Sequence, residues 1–386
     1  MKIVYAALDQ RVPGTTGGSV HVTAVAGGLA ALGHEVDVLT TPGPGPFPEG
    51  PVRWHALAPP LGLRHLRVLR TEAVRAFARD ARADVIIERY HNFGGEGMRA
   101  AKDLGAVAVL EVNAPVIDYP GSPKARLDKA LLLEPMRRWR DRVCRMADLL
   151  VTPAAEVLPA FVPRDRIVEI EWGADTDRFA PGVAGVAPFT RRPGALVAVF
   201  AGAFRAWHGA INLVRAMREL RAAGRRDLDA VLIGDGPELA RAMAEAGGLD
   251  GVIFTGAVAH DRMPASLAAA DIGVAPFDVA AHPPLQLAFY WSPLKVFEYM
   301  AAGLPVVAPA IPRLARILGP GHERLLYDAQ APRALADALA YAADHGDERR
   351  RLGAAARQRA CSEFSWAAHC RKLDDAIRGA MRRRSR

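Results

Sequence analysis

Three cysteines in 386 residues, Cys144, Cys361 and Cys370, share no CxxC spacing and have no histidine pair nearby. That excludes a disulfide framework and a zinc ribbon and fits a reducing compartment. Long hydrophobic runs are also missing. The longest, 195–204, is about half of the ~20 residues a membrane helix needs. After Lys2 only residues 3–8 precede Asp9, too short for the apolar core of a secretory signal, so the stretch reads as a first buried strand. A cytoplasmic location is expected. Nowhere does GxGxxG stand with an acidic residue about 20 positions on, which weighs against a dinucleotide cofactor. No cluster shows metal-ligand spacing, and neither a bound metal nor a nucleic-acid partner is expected.

What is present is an ordinary globular balance, 51% hydrophobic and 24% charged, at a length suited to two domains. Lys and Arg number 50 against 42 Asp and Glu, and the surplus of +8 suggests an anionic ligand or surface. The pattern along the chain is strand, loop, helix, repeated. Strands are predicted at 2–8, 35–39, 85–87, 107–111 and 149–151, and helices at 20–32, 66–83, 95–104 and 124–146. A Pro/Gly-rich stretch, 179–194, interrupts the alternation. It then resumes with strands at 195–200, 230–233, 252–254, 272–275 and 306–308 and helices at 211–223, 237–246, 263–270, 293–302 and 332–345. Strands alternating with helices predict two doubly wound parallel α/β domains, 1–184 and 185–365, with ligands at the carboxyl ends of the sheets. The terminal segment 366–386 is expected to return to the first domain as a helix.

Several loops fall at predicted strand ends. Pro13-Gly14-Thr15-Thr16-Gly17-Gly18-Ser19 opens into a helix, where glycines and unpaired N–H groups suit an anion or a sugar. A mobile connection is the plainer reading. Arg205-Ala206-Trp207-His208-Gly209 follows the first strand of the second domain, and Arg205 offers a planar fork of donors for a diphosphate. His208 could add another donor. Gly234-Asp235-Gly236-Pro237 ends the next strand and reads as a structural turn. His91, in Glu88-Arg89-Tyr90-His91-Asn92, stands at a first-domain strand end and either touches a substrate or is a satisfied structural histidine. The basic stretch 124–146, with Leu131–Leu133, Met136 and Trp139, reads as a solvated face or as a peripheral contact with an anionic bilayer. The tail 381–386 is expected to fray.

The segment Tyr290-Trp291-Ser292-Pro293-Leu294-Lys295-Val296-Phe297-Glu298-Tyr299-Met300-Ala301-Ala302-Gly303-Leu304-Pro305-Val306-Val307-Ala308 resembles the donor-site helix of the family-four retaining glycosyltransferases of the GT-B fold. Counterparts at 171–181, 233–237, 254–258, 269–271 and 364–366 extend the resemblance over nearly the whole chain. It implies two Rossmann-like domains facing across a cleft. The implied reaction moves a sugar from a nucleotide-diphosphate sugar to an acceptor hydroxyl with retention and without a metal, and UDP is the favoured donor nucleotide. By the resemblance Glu298 receives the ribose hydroxyls, Arg205 meets the diphosphate, and backbone groups of Val258 meet the base. The turn Ser292, Pro293, Leu294, Lys295 approaches the sugar and distal phosphate, while Gly17 and Gly18 form the first-domain loop over the donor and Gly234 lines its site. Three positions depart from the family pattern. Tyr290 replaces a glutamate, His208 replaces a lysine that Lys295 could stand in for, and Asn113 replaces a histidine and could hold a sugar hydroxyl. Tyr290 is expected against the donor sugar. The Ala- and Arg-rich composition fits a high-GC bacterial genome and an envelope glycan, glycolipid or natural product as acceptor. The alternative is a catalytically impaired GT-B protein that binds a nucleotide or a partner enzyme.

Overall fold

A computed structural model describes residues 1–119, 121–132 and 134–384; Leu133 and the last two residues of the expected frayed tail lie outside the described residues. The chain divides into two compact units. Unit 1 comprises residues 1–172, 286–292 and 366–386, and unit 2 comprises 173–285 and 293–365. The division falls at 172 where the Pro/Gly-rich stretch had suggested about 185, and residues 286–292, expected in the second domain, are counted with the first.

Unit 1 is built on β1 (Lys2–Val12), β2 (Glu35–Pro42), β3 (Arg53–Ala56), β4 (Val85–Arg89), β5 (Val107–Glu111), β6 (Leu149–Thr152) and β7 (Ile167–Glu169). They form one parallel sheet in the order β3-β2-β1-β4-β5-β6-β7. Strand β1 is buried along most of its length and continues past the expected end through a register shift between Ala7 and Arg11. Near-continuous apolar strands are what a sheet covered on both faces requires. One covering element is the helix Trp366–Arg384, which packs on Gly17–Ala31 with Cys370 against Gly28. A Cβ at Gly28 would stand 2.4 Å from the Cys370 sulfur, so glycine there permits the approach.

Unit 2 contains β8 (Leu196–Ala201), β9 (Leu228–Ile233), β10 (Val252–Gly256), β11 (Ile272–Val274), β12 (Val306–Pro309) and β13 (Leu326–Tyr327), parallel in the order β10-β9-β8-β11-β12-β13. Its core is formed by Phe200, Leu213, Met217, Leu232, Val274, Val307 and Leu339 with their neighbours. In both sheets the strand order reverses beside the first strand, which places a topological switch point at the carboxyl ends of β1 and β8.

Two expected helices differ. The stretch 66–83 is a 3-10 segment, Arg64–Arg70, followed by the helix Thr71–Asp80. The basic stretch 124–146 is two helices, Pro123–Leu131 and Pro135–Met146, because Pro135 restricts the residue before it and Leu132 takes a left-handed conformation. The second helix turns Met136, Val143 and Cys144 inward, and the Arg140 guanidinium is buried on Asp118 and the Val116 carbonyl. That helix has no apolar face left for a bilayer.

Candidate functional site

In unit 2 the helix Leu294–Ala301 carries the chemistry, and Tyr299 fixes its position. The Tyr299 hydroxyl accepts from the Ala201 amide at 2.7 Å, and its ring fills the space a Cβ on Gly273 would need. Phe297 stacks on Phe364 with centroids 5.1 Å apart. The helix therefore starts at the carboxyl ends of β8 and β11, and the Leu294 and Lys295 amides precede its first internal hydrogen bond.

Lys295 is 8% exposed, and its ammonium has no hydrogen-bond partner among the described residues. The Nζ atom sits 4.1 Å from the centre of the Phe200 ring and 5.3 Å from that of Phe277. Gly202, at φ +147°, passes so close that a Cβ would lie 3.0 Å from Nζ. Burial pushes the Lys295 pKa down to about 7, and Glu298 draws it back only in part. A buried cation held over ring faces beside open helix amides is arranged to meet an anion.

Around it stand the other expected residues of unit 2. Arg205 is exposed, with its guanidinium 5.4 Å above the Trp207 ring. The His208 Nδ1 donates to the Ala203 carbonyl at 2.6 Å, which leaves Nε2 deprotonated in the neutral ring. Burial, and then the Lys295 charge, holds the His208 pKa at about 3. His208 is thus a neutral group whose one ring N–H is spent on the Ala203 carbonyl. Gly234 and Gly236, at φ +136° and +147°, let the β8 and β9 loops close on each other; a Cβ on Gly234 would come within 2.0 Å of the Gly202 carbonyl. Val258 lies half-buried in the loop after β10, and Pro293 caps the donor-motif helix without a side-chain bond.

Glu298 faces His260, its Oε1 3.8 Å from Nε2. Arg178 donates to the His260 carbonyl at 2.9 Å and to Nδ1 at 3.1 Å, so the ring proton sits on Nε2, toward Glu298. Neither His260 nor Arg178 was picked out from the sequence. Arg178 falls in the stretch 171–181 that resembles the family, and His260 lies two residues past the stretch 254–258.

The remaining expected residues belong to unit 1. Thr16 caps the helix Gly17–Ala31 by accepting from the Ser19 amide, and a Cβ on Gly18 would collide with the Gln10 side chain. Glu111, at the end of β5, receives the Tyr5 hydroxyl, the Arg89 guanidinium at 2.9 Å and the Asn113 amide. The Asn113 oxygen accepts from Trp172 Nε1 at 2.9 Å, so both ends of that amide are engaged within the protein. His91 accepts from the Phe93 amide at 3.3 Å, and burial and then Arg67 push its pKa well below the usual value. Ser292 does not present its hydroxyl in the helix-start turn. It accepts from the Trp172 amide at 2.8 Å and donates to Glu171. Tyr290 is 4% exposed, with its ring 5.9 Å from that of Trp291 and its pKa pushed up to about 12 by burial. His21, fully buried, stacks on Trp172 at 4.3 Å with Nδ1 3.4 Å from Glu111, and was not anticipated from the sequence.

Among the described residues no three His, Cys, Asp or Glu side chains are grouped to hold a metal ion. None of the described helices is long and apolar enough to cross a membrane.

Comparison with known proteins bears on the family and the fold. The family described as "Glycosyltransferase Family 4" matches residues 15–178, and "Glycosyl transferases group 1" matches 195–345. A D-inositol 3-phosphate glycosyltransferase of a Nocardioides species is 30% identical over 410 residues, covering 97% of this chain and 87% of its own. A GDP-mannose-dependent alpha-(1-6)-phosphatidylinositol monomannoside mannosyltransferase of Mycobacterium tuberculosis is 30% identical over 57% of this chain and 58% of its own. Among solved structures, the sucrose-phosphate synthase of Thermosynechococcus elongatus superposes with a TM-score of 0.74 at 21% identity over 99% of both chains. The chain belongs to glycosyltransferase family 4: it has the GT-B fold of two Rossmann-like domains and is a glycosyltransferase using nucleotide-sugar donors.

Proposed function

We propose that the chain transfers a sugar from a nucleotide-diphosphate sugar to an acceptor hydroxyl with retention of the anomeric configuration and without a metal ion. The observation that carries this reading is Lys295, a buried and unpartnered ammonium at the start of the donor-motif helix. With Arg205 and the Leu294 and Lys295 amides it supplies fixed positive potential where a leaving diphosphate gathers charge, the role a divalent cation plays elsewhere. Glu298 receives the ribose hydroxyls, since a carboxylate accepts from two vicinal groups at once. The bond from C1 to the diphosphate oxygen breaks as the acceptor oxygen bonds C1 on the same face. The acceptor proton passes to the departing diphosphate, so no side chain of unit 1 has to act as base. This accords with Asn113, which has no titrating group.

The two relatives are named for D-inositol 3-phosphate and for phosphatidylinositol monomannoside. Those names support an acceptor hydroxyl on a phosphorylated or lipid-linked polyol of the bacterial envelope. UDP-sugars are the first donors to try, with GDP- and ADP-sugars beside them. The test uses water as a stand-in acceptor. Proton NMR of the sugar released early from an α-linked donor should show the α anomer, and a β anomer would refute retention. A second reading, a protein that binds nucleotide without turnover, is favoured by one observation: the Asn113 amide is engaged at both ends. Tight nucleotide binding with no sugar released from any donor assigns that reading instead.

A further inference from the structure

Glu298 has one polar neighbour on the loop after β10, and that neighbour is held from two sides. Arg178 donates to the His260 carbonyl at 2.9 Å and to its Nδ1 at 3.1 Å. The buried Phe179 ring lies T-shaped to the imidazole, with centroids 6.0 Å apart. Arg178 is set in turn by the residues before it, where Asp175 Oδ1 accepts from the Asp177 and Arg178 amides at 3.2 and 3.0 Å. One guanidinium ties this segment to the helix that carries Glu298. Arg357 donates to the carbonyls of Thr176 and Phe179 at 2.8 and 2.7 Å, and to that of Ala301, the last residue of the helix, at 2.7 Å. The imidazole and the carboxylate therefore share one frame, wholly within unit 2.

The frame decides which atom of the ring faces Glu298 and what that atom offers. A guanidinium donates and never accepts, so Nδ1 is the acceptor and the ring N–H is on Nε2. Nε2 stands 3.8 Å from Glu298 Oε1. That separation is too long for a direct hydrogen bond, and short enough for one oxygen to lie about 2.8 Å from both atoms. Neither Nε2 nor the Glu298 carboxylate has a hydrogen-bond partner among the described residues. Both side chains can be reached from solvent, His260 being 36% and Glu298 17% exposed.

A carboxylate alone accepts from any hydroxyl or amine. A carboxylate with an N–H fixed beside it matches a group that donates and accepts at once, which is what a hydroxyl does. Its proton goes to Oε1 and its lone pair receives the Nε2 proton, while the second carboxylate oxygen is left for a vicinal hydroxyl.

We propose that His260 is a specificity residue for the donor ribose, its Nε2–H donating to the one ribose hydroxyl that donates to Glu298 Oε1, and that Arg178 is the positioning residue that holds the ring in this tautomer. The inference rests on the reading of Glu298 as the ribose acceptor and deepens it. Glu298 by itself treats the two ribose hydroxyls alike, whereas Glu298 with His260 tells them apart.

The test is titration calorimetry of the full chain with whichever of UDP, GDP and ADP binds most tightly, and with its 2′-deoxy and 3′-deoxy analogues. In the parent protein, loss of one hydroxyl should cost about tenfold more affinity than loss of the other, the worth of one added hydrogen bond. His260→Phe should make the two losses equal, and His260→Gln, which carries an N–H at similar reach, should restore the difference. Arg178→Met should reduce the difference as well. Nitrogen-15 spectra of the His260 ring read the cause, with the proton on Nε2 in the parent and divided between the two nitrogens in Arg178→Met. Equal losses in the parent, or a difference that survives His260→Phe, overturn the proposal while leaving Glu298 as the ribose acceptor. An unchanged tautomer in Arg178→Met overturns the role given to Arg178. Absence of binding by all three diphosphates overturns the Glu298 reading and this inference with it.

Discussion

Replacing Lys295 by methionine should stabilise the protein and weaken its hold on nucleotide diphosphate at the same time. The aliphatic stem fits the same space between Phe200, Phe277 and Gly202, and only the ammonium is lost. Burial lowers the Lys295 pKa from 10.5 to about 7, so between those values the unfolded chain binds a proton that the folded one releases. Stability therefore rises with pH through that window, and at pH 7 the buried charge costs about 4 kcal/mol. Attraction to the Phe200 face returns up to ~2 kcal/mol of that. The net gain from methionine is about 2 kcal/mol, or roughly 4–8 °C in the melting of a unit of this size. Loss of a charge-assisted bond to phosphate should cost ~1.5–3 kcal/mol of affinity, which is about 10- to 150-fold. Differential scanning and titration calorimetry with UDP at pH 7 read both effects. In the parent protein, affinity should also weaken by up to ~10-fold per pH unit above 7, as the ammonium loses its proton, and in the variant it should not. A lower melting temperature together with unchanged UDP affinity would show that Lys295 is a packing residue and that the reasoning is wrong.

Glu298→Gln should weaken nucleotide binding by about 10- to 150-fold, because one acceptor oxygen becomes a donor toward hydroxyls and toward the His260 proton; an unaltered dissociation constant in calorimetry would remove Glu298 from the site. Gly202→Ala should lower affinity at least ~10-fold with the protein still folded, since the added methyl stands 3.0 Å from the Lys295 nitrogen at a φ that L-residues avoid. Donor turnover should continue in excess EDTA, and activity that disappears and returns with Mg²⁺ or Mn²⁺ would refute the metal-free reading of the Lys295 and Arg205 charges.

The sheets were legible in the sequence because strands buried on both faces are near-continuous apolar runs, as in β1, β4, β5, β8 and β9. Edge strands were less so: β10 was read at 252–254, but β3 and β7 were missed. Arg53–Ala56 and Ile167–Glu169 are short and half-exposed, so their composition does not distinguish them from loop. Strand ends were read too early wherever a polar residue is buried with a partner. β1 continues to Val12 past Asp9, which pairs with Arg67, and β4 continues through Glu88, which caps a helix by accepting from the Gly95 and Met98 amides. The single long basic helix failed for a local reason that was visible: Pro135 stands inside it.

The donor motif was legible as a string but not as a set of contacts. Tyr290 and Ser292 lie within nine residues of Glu298 in sequence, yet they belong to unit 1, where Ser292 is taken by Glu171 and Trp172, more than a hundred positions away. Nothing in the local pattern announces such a partner, just as nothing around Asn113 announces Trp172. The same limit explains His208. Burial, and then the Lys295 charge, lower its pKa against the hydrogen bond to the Ala203 carbonyl, which favours the charged ring, so His208 is the neutral member of the pair. A bond from Nδ1 to a carbonyl fixes the neutral tautomer of His208, whereas Lys295 has no such acceptor and lies between ring faces that favour its charged form. The titrating charge therefore resides 87 positions further along the chain, on the residue whose side chain reaches back over Gly202 to the end of β8.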